Sequence, residues 1–433
     1  MDPTPMASPT LRARSRLPLM SDAGHVRDRP RGRSPFGPAA PSIAAALLYA
    51  AAVGVWSVFG GLLPGGRWFA VHLFTLGVLT NLVLTFSEHF ARTVTRTKGE
   101  RAAWWPVVTN LGILLVLIGF PGGQRWLLAV GSTIVTGAVF AAYRRIRRMR
   151  HEAIGARFAW IARVYERAHG AFIHGAILGA LMGVGLLAGS WYGAARIAHL
   201  HANILGWGGL TLLATLVFFG PTMARTRIEP GADERGARAL RRGATGLSVA
   251  VVLLLLTGVG GVPGTIARVG AGTGLALYAW AATVVCLPVG RAVWRAKPTA
   301  ARPLVTAVCV WLPLVAWADV AVVATGSWRW LDAIGVAALT GVLAQAICAT
   351  LVYLTPMLRG STTAEREAIR LRLEVGMHLR AATLGVGVVA CILAAMRIAA
   401  TVPMAAIGWS LIGATLLVTA ITALWPPRVP DPQ

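Results

Sequence analysis

This chain is poor in acid. Sixteen Asp and Glu stand against 41 Lys and Arg, and charged residues of both signs make up 13% of the 433 positions. That is too little charge to cover a soluble domain of this size, and 56% of the residues are hydrophobic, so a water-soluble fold is excluded. Cysteine is equally thin. Cys286, Cys309, Cys348 and Cys391 all fall in apolar stretches and form no CxxC pair, which argues against a disulfide framework and a thiolate zinc site. Buried packing is their expected role. No Ser/His/Asp order, P-loop or dinucleotide fingerprint stands out.

What the chain has instead is long apolar runs. About twelve of them can each cross a bilayer as a helix: 41–63, 68–91, 103–122, 125–143, 170–190, 197–222, 243–262, 266–288, 302–325, 331–356, 379–399 and 403–425. The expected fold is an all-α integral membrane bundle. A net charge of +25 would suit nucleic acid, but its placement points to topology. With the amino terminus inside, 35 of the 41 basic residues fall in segments expected at the cytoplasmic face. The outer turns hold only Arg67, Arg125, Arg196, Arg268, Arg329 and Arg397. That is the positive-inside pattern at every loop. The expectation is a multi-pass protein of the plasma (inner) membrane, with both termini cytoplasmic. The bilayer is its partner, its basic loops lie against anionic headgroups, and nucleic acid is not a partner. Residues 1–40, rich in Arg, Pro and Ser, read as a disordered basic cytoplasmic tail. Residues 41–425 form the transmembrane domain, and 426–433 a short cytoplasmic tail.

The spans carry a weak internal repeat. Ala214-Thr215-Leu216-Val217-Phe218 with Pro221 matches Ala349-Thr350-Leu351-Val352-Tyr353 with Pro356, at an offset of 135 that Gly206 and Gly341 share. Ala91-Arg92-Thr93 ends the second span as Ala224-Arg225-Thr226 ends the sixth. The second, sixth and tenth spans are then equivalents in three four-helix units that run in parallel. Inverted repeats would have favoured a secondary transporter.

Histidine is costly in hydrocarbon, so each intramembrane histidine is a candidate site. The sixth span opens on His199 and His201. At about 100° per residue the two rings point about 200° apart, toward opposite sides of one helix. His72 lies about 6 Å into the second span, at a similar depth if the sixth begins near 197. Imidazole at that depth suits haem iron, copper or zinc. Two opposed histidines can ligate one haem iron from both faces. His72 and one of the pair would form such a site, and the other would face a second haem or a copper. Asn203 and Trp207 follow the pair along the helix, and Asn203 is placed to orient His199. On the inner side His89 and His174, with Glu88 and His169, are candidates for a second haem or for proton uptake. Asp319, a carboxylate in the ninth span, needs a partner or a proton, and would neutralise a histidine or relay protons. Gly175, Gly179 and Gly183 make a small-residue stripe suited to close helix packing or to a flat macrocycle. Asn81 and Asn110 are expected to bond between helices.

Three segments carry a family resemblance: VHLFTLGVLTNLVLTFSEHFARTV, AHLHANILGWGGLTLLATLVFFGPTMARTRI and LAQAICATLVYLTPMLRG. They resemble actinobacterial membrane proteins similar to the haem-copper oxidase catalytic subunit and to the NnrS family. Some of those proteins are fused to cupredoxin domains of the multicopper oxidase or nitrite reductase kind. The resemblance implies twelve helices in three arcs, haem b near the outer face, copper as a second cofactor, and a cupredoxin or cytochrome as electron partner. It places His72 as a haem ligand and the HxH pair as a two-cofactor motif. In the oxidases that motif lies on the tenth helix, and their copper site uses an adjacent His-His pair that this chain lacks. A complete oxygen-reducing oxidase is therefore not expected. The function expected is a membrane haem, or haem-copper, protein with an oxidoreductase-like or small-ligand role toward nitrogen oxides or oxygen. A metal-ion or small-solute permease and a non-catalytic subunit of a redox complex are the alternatives.

Overall fold

The computed structural model describes residues 39–59, 62–97, 104–153, 157–398 and 401–424. The tail expected at 1–40, except its last two residues, and the one expected at 426–433 lie outside that set. The helices run in chain order. They are α1 (Ala40–Phe59), α2 (Gly66–Thr95), α3 (Trp105–Gly119), α4 (Arg125–Glu152), α5 (Trp160–Gly183), α6 (Gly189–Met223) and α7 (Ala232–Val259). Then come α8 (Gly261–Arg295), α9 (Arg302–Thr325), α10 (Trp328–Arg359), α11 (Thr363–Glu374), α12 (Met377–Ala395) and α13 (Thr401–Leu424). No strand occurs among the described residues. Helices satisfy their own backbone groups, which is the condition for crossing a bilayer.

Ten of these helices are long and apolar enough to span: α1, α2, α4, α6, α7, α8, α9, α10, α12 and α13. The chain is a multi-pass helical membrane protein. The other two expected spans form helices that fall short of that measure. α3 is apolar but has 15 residues. α5 has 24 residues, with Arg163, Glu166, Arg167 and His169 in its first half. α11 is an additional short polar helix between α10 and α12. It starts on a capping box in which Thr362 accepts from the Glu365 backbone N–H and the Glu365 side chain returns to the cap.

α6 is the most enclosed span, with 78% of its apolar window buried, against 17% for α13. It packs on α5, α7, α8 and α10, whereas the outward faces of α1 and α13 present Leu48, Leu417 and Ile421 to lipid. Polar ties fix neighbours. Asn81 and Asn110 exchange amide bonds of 2.9 and 3.0 Å between α2 and α3, as the sequence suggested. Glu88, 1% exposed, accepts from Arg145 of α4 at 3.0 and 3.3 Å.

A π-helical segment interrupts three of the spans: Leu73–Leu79 in α2, Ala202–Gly209 in α6 and Ala337–Ala344 in α10. These are the spans that the repeat makes equivalent. The α6 and α10 segments lie 135 residues apart, which is the sequence offset. In each segment the preceding helix rests on a glycine: Gly77, Gly206 or Gly341. A Cβ on Gly77 would enter the Tyr49 ring of α1. One on Gly206 would lie 2.6 Å from Cβ of Ala171 in α5, and one on Gly341 would lie 3.1 Å from the Trp311 ring of α9. The helix ends correct the sequence alignment by one turn. Arg96, not Arg92, is the counterpart of Arg225, since both close their helices at positive φ, 57° and 53°.

The four cysteines are free. Cys286, Cys309 and Cys391 are buried, and Cys348 is partly so.

Candidate functional site

Local helix geometry orients each histidine of the starting halves of α2 and α6. His72 is the last residue before the π segment of α2. Its Nδ1 lies 2.8 Å from the carbonyl of Trp68, one turn back. The Trp68 ring stacks on the imidazole at 4.0 Å, and Phe120 stacks on the far side of the pair, 4.0 Å from Trp68. His199 reaches across to α5, where its Nδ1 is 2.7 Å from the carbonyl of Gly175. Its ring lies over Gly179, where a Cβ would come within 2.7 Å of Cε1. Asn203 donates to the His199 carbonyl at 2.8 Å and fills the space over Gly175. Leu128 fills the space over Gly183. The glycine stripe is thus a packing surface, and side chains occupy the room that a macrocycle would need along it.

The sequence expected α6 to begin near 197. It begins at Gly189, so His199 lies about 15 Å into the helix rather than at its mouth. His72 and His199 nevertheless lie close together, with ring centroids 6.4 Å apart and planes 23° from parallel. A carbonyl can only accept, so each Nδ1 carries the proton and each Nε2 keeps its lone pair. Neither Nε2 has a hydrogen-bond partner among the described residues.

His201 points the other way. It is 0% exposed, and Asp319 of α9 is 1% exposed. Nδ1 of His201 is 2.8 Å from the Ile197 carbonyl. Its Nε2 is 3.0 and 3.2 Å from the two carboxylate oxygens of Asp319. Nδ1 must donate to the carbonyl, so a second proton must lie between Nε2 and the carboxylate. The pair therefore holds one shared proton and is neutral as a unit, which is the state that hydrocarbon tolerates. Both nitrogens of His201 are engaged.

The inner candidates do not join this site. His89 lies 17 residues beyond His72 on α2, about 25 Å along the axis. The exposed ring of His174 folds back on the Gly170 carbonyl, with Nδ1 at 2.7 Å. His169, another inner-side candidate, is fully buried. Its Nδ1 is 2.7 Å from the Tyr165 carbonyl, and its Nε2 has no partner. Trp207, also buried, meets it edge-on at 4.6 Å.

No protein-family model matches this chain, and no curated protein matches it. Function rests on the geometry alone. Among the described residues no three His, Cys, Asp or Glu side chains gather as a metal-binding set. Two neighbouring imidazoles and one buried His–Asp pair are the groups that α2, α6 and α9 bring together here. A small apolar pocket lined by Leu212, Phe219, Met223 and Val305 lies toward the other end of α6 and touches none of these histidines. The contact of His199 and the need of Asp319 for a partner each had a signal in the sequence. The first is a glycine stripe at four-residue spacing, the second an uncompensated carboxylate in a span.

Proposed function

We propose that His72 and His199 would hold a haem b through their imidazoles, and that the chain is a membrane redox protein. The 6.4 Å separation of the two rings carries the proposal. Two metal–nitrogen bonds of about 2.0 Å, plus roughly 1 Å from each ring nitrogen to its ring centre, give about 6 Å between centroids. Each Nδ1 is tied to a carbonyl, which fixes the tautomer and leaves Nε2 with its lone pair, as a metal-ligating histidine requires. Two protein ligands are too few for zinc, but they suit an iron whose other four positions a macrocycle fills. Copper would need a further ligand at this site, and His201, with both nitrogens engaged, is not available to a second cofactor. Seating the macrocycle requires Trp68 or Asn203 to move from the packing described above. Haem supplies a one-electron couple or a site for a diatomic ligand, such as a nitrogen oxide or oxygen. At this position it calls for a small cupredoxin or cytochrome as electron partner.

The test is the absorption spectrum of protein purified from haem-sufficient cells. A Soret band is expected in the wild type and in Asp319→Asn, and its loss in His72→Ala and His199→Ala. No Soret band in the wild type, or one unchanged in both histidine variants, overturns the proposal. A second reading, a proton-coupled permease, is favoured by the shared proton of His201 and Asp319. It calls for solute uptake that Asp319→Asn abolishes, with no haem bound.

A further inference from the structure

His169, Trp207 and Thr211 present a different kind of puzzle. All three side chains are at least nine-tenths buried, and each ends in a polar atom without a partner: Nε2 of His169, Nε1 of Trp207 and Oγ1 of Thr211. Buried polar groups are nearly always bonded, and three orphans in one neighbourhood need an explanation. Their chemistry is complementary. Nδ1 of His169 faces the Tyr165 carbonyl at 2.7 Å, so its Nε2 can only accept. The indole N–H can only donate, and the threonine hydroxyl does both.

The spacing fits one small bridging group. Trp207 and Thr211 are one turn apart on α6, about 6 Å along the axis, which puts them on one side of the helix. The His169 ring stands edge-on to Trp207 from α5, with centroids 4.6 Å apart. A bound water needs two to four polar partners, and here it finds a donor, an acceptor and a hydroxyl.

We infer that one water molecule is bound in the interior of the bundle by His169, Trp207 and Thr211. This water completes a polar file along the α5–α6 contact. Asn203, Trp207, Thr211 and Thr215 recur every four residues on α6. Thr215 meets the Tyr165 hydroxyl of α5 at 2.8 Å. With the water in place, the file covers about 18 Å of a hydrocarbon core roughly 30 Å thick. The inference does not depend on a cofactor at His72 and His199.

Radiolytic hydroxyl-radical footprinting of the full chain in lipid nanodiscs tests it, because radicals born from a bound water modify the side chains that hold it. Trp207 is expected to be modified although it is 1% exposed. Thr211→Val keeps the side-chain shape and removes one of the three partners, so modification of Trp207 is expected to fall about tenfold. His169→Phe is expected to do the same. If that variant does not fold, Thr211→Val decides alone. An unmodified Trp207 in the wild type, or a rate unchanged in Thr211→Val, overturns the inference.

Discussion

Removing one half of the His201–Asp319 pair should cost far more than removing both halves. Both groups are closed off from water, at 0% and 1% exposure, and they bond at 3.0 Å. In Asp319→Leu the carboxylate is gone, and the imidazole must either stay charged without a counter-charge or give up the proton between them and leave Nε2 unbonded. Truncating one partner of a buried ion pair costs about 3–5 kcal/mol, whereas replacing both by apolar residues of similar volume is close to neutral. The expected order of stability is therefore wild type near His201→Leu/Asp319→Leu, with either single leucine variant far below. Asp319→Asn should fall between, since its amide N–H can donate to a neutral Nε2 and keep one hydrogen bond. Equilibrium unfolding in mixed micelles of rising denaturing-detergent fraction reads each value, and the double-mutant cycle isolates the coupling. Ordinary hydrogen bonds between membrane helices average about 0.6 kcal/mol in such cycles. A coupling below about 1 kcal/mol would place His201 and Asp319 in that class and refute the shared-proton account.

Gly179→Val should push His199 off α5, because a Cβ there already comes within 2.7 Å of the imidazole. Any Soret band should be lost with overpacking of about 1–3 kcal/mol, and retained haem would show that the ring is held otherwise. Gly206→Leu should destabilise by a similar roughly 1–3 kcal/mol, since Ala171 of α5 sits against it, and unchanged unfolding would contradict the close approach. Thr362→Ala should fray α11 at a cost of about 1 kcal/mol, visible as faster hydrogen exchange over 363–366. The Glu365 carboxyl is held below its ordinary range, chiefly by the Ser361 hydroxyl, then by the Ser361 and Thr362 backbone N–H groups. Its capping contribution should be complete above the ordinary carboxylate pKa and lost as the pH falls through the lowered value. Acid-independent exchange at α11 would count against that account.

Much of the bundle was legible because hydrocarbon imposes length and apolarity on every crossing segment. The HxH spacing foretold two rings on opposite sides of α6, and the structure turns one to α5 and one to α9. The partner of Asp319 was not legible. A carboxylate in a span shows that a partner is needed, but nothing local shows that it lies 118 residues away on another helix. The start of α6 was misplaced because Ser190, Tyr192 and Arg196 dilute its apolar signal while continuing the helix. The π segments left no mark in hydropathy, since an extra residue in a turn changes geometry without changing composition. The same extra residues, and Arg92 preceding Arg96 by one turn, hid the true register of the repeat.

The π segments also divide α2, α6 and α10 into halves that can be re-aimed independently. Deleting one residue between Ala202 and Gly209 would restore ordinary helix and swing His199 and His201 by about 100° about the axis. The half that packs through Leu213, Ala214 and Val217 would keep its seat. A single codon lost or gained there is thus a short evolutionary step that changes which neighbours the two histidines meet while leaving the scaffold intact. In the third unit the residue just before the π segment is Val336, where α2 and α6 carry histidine.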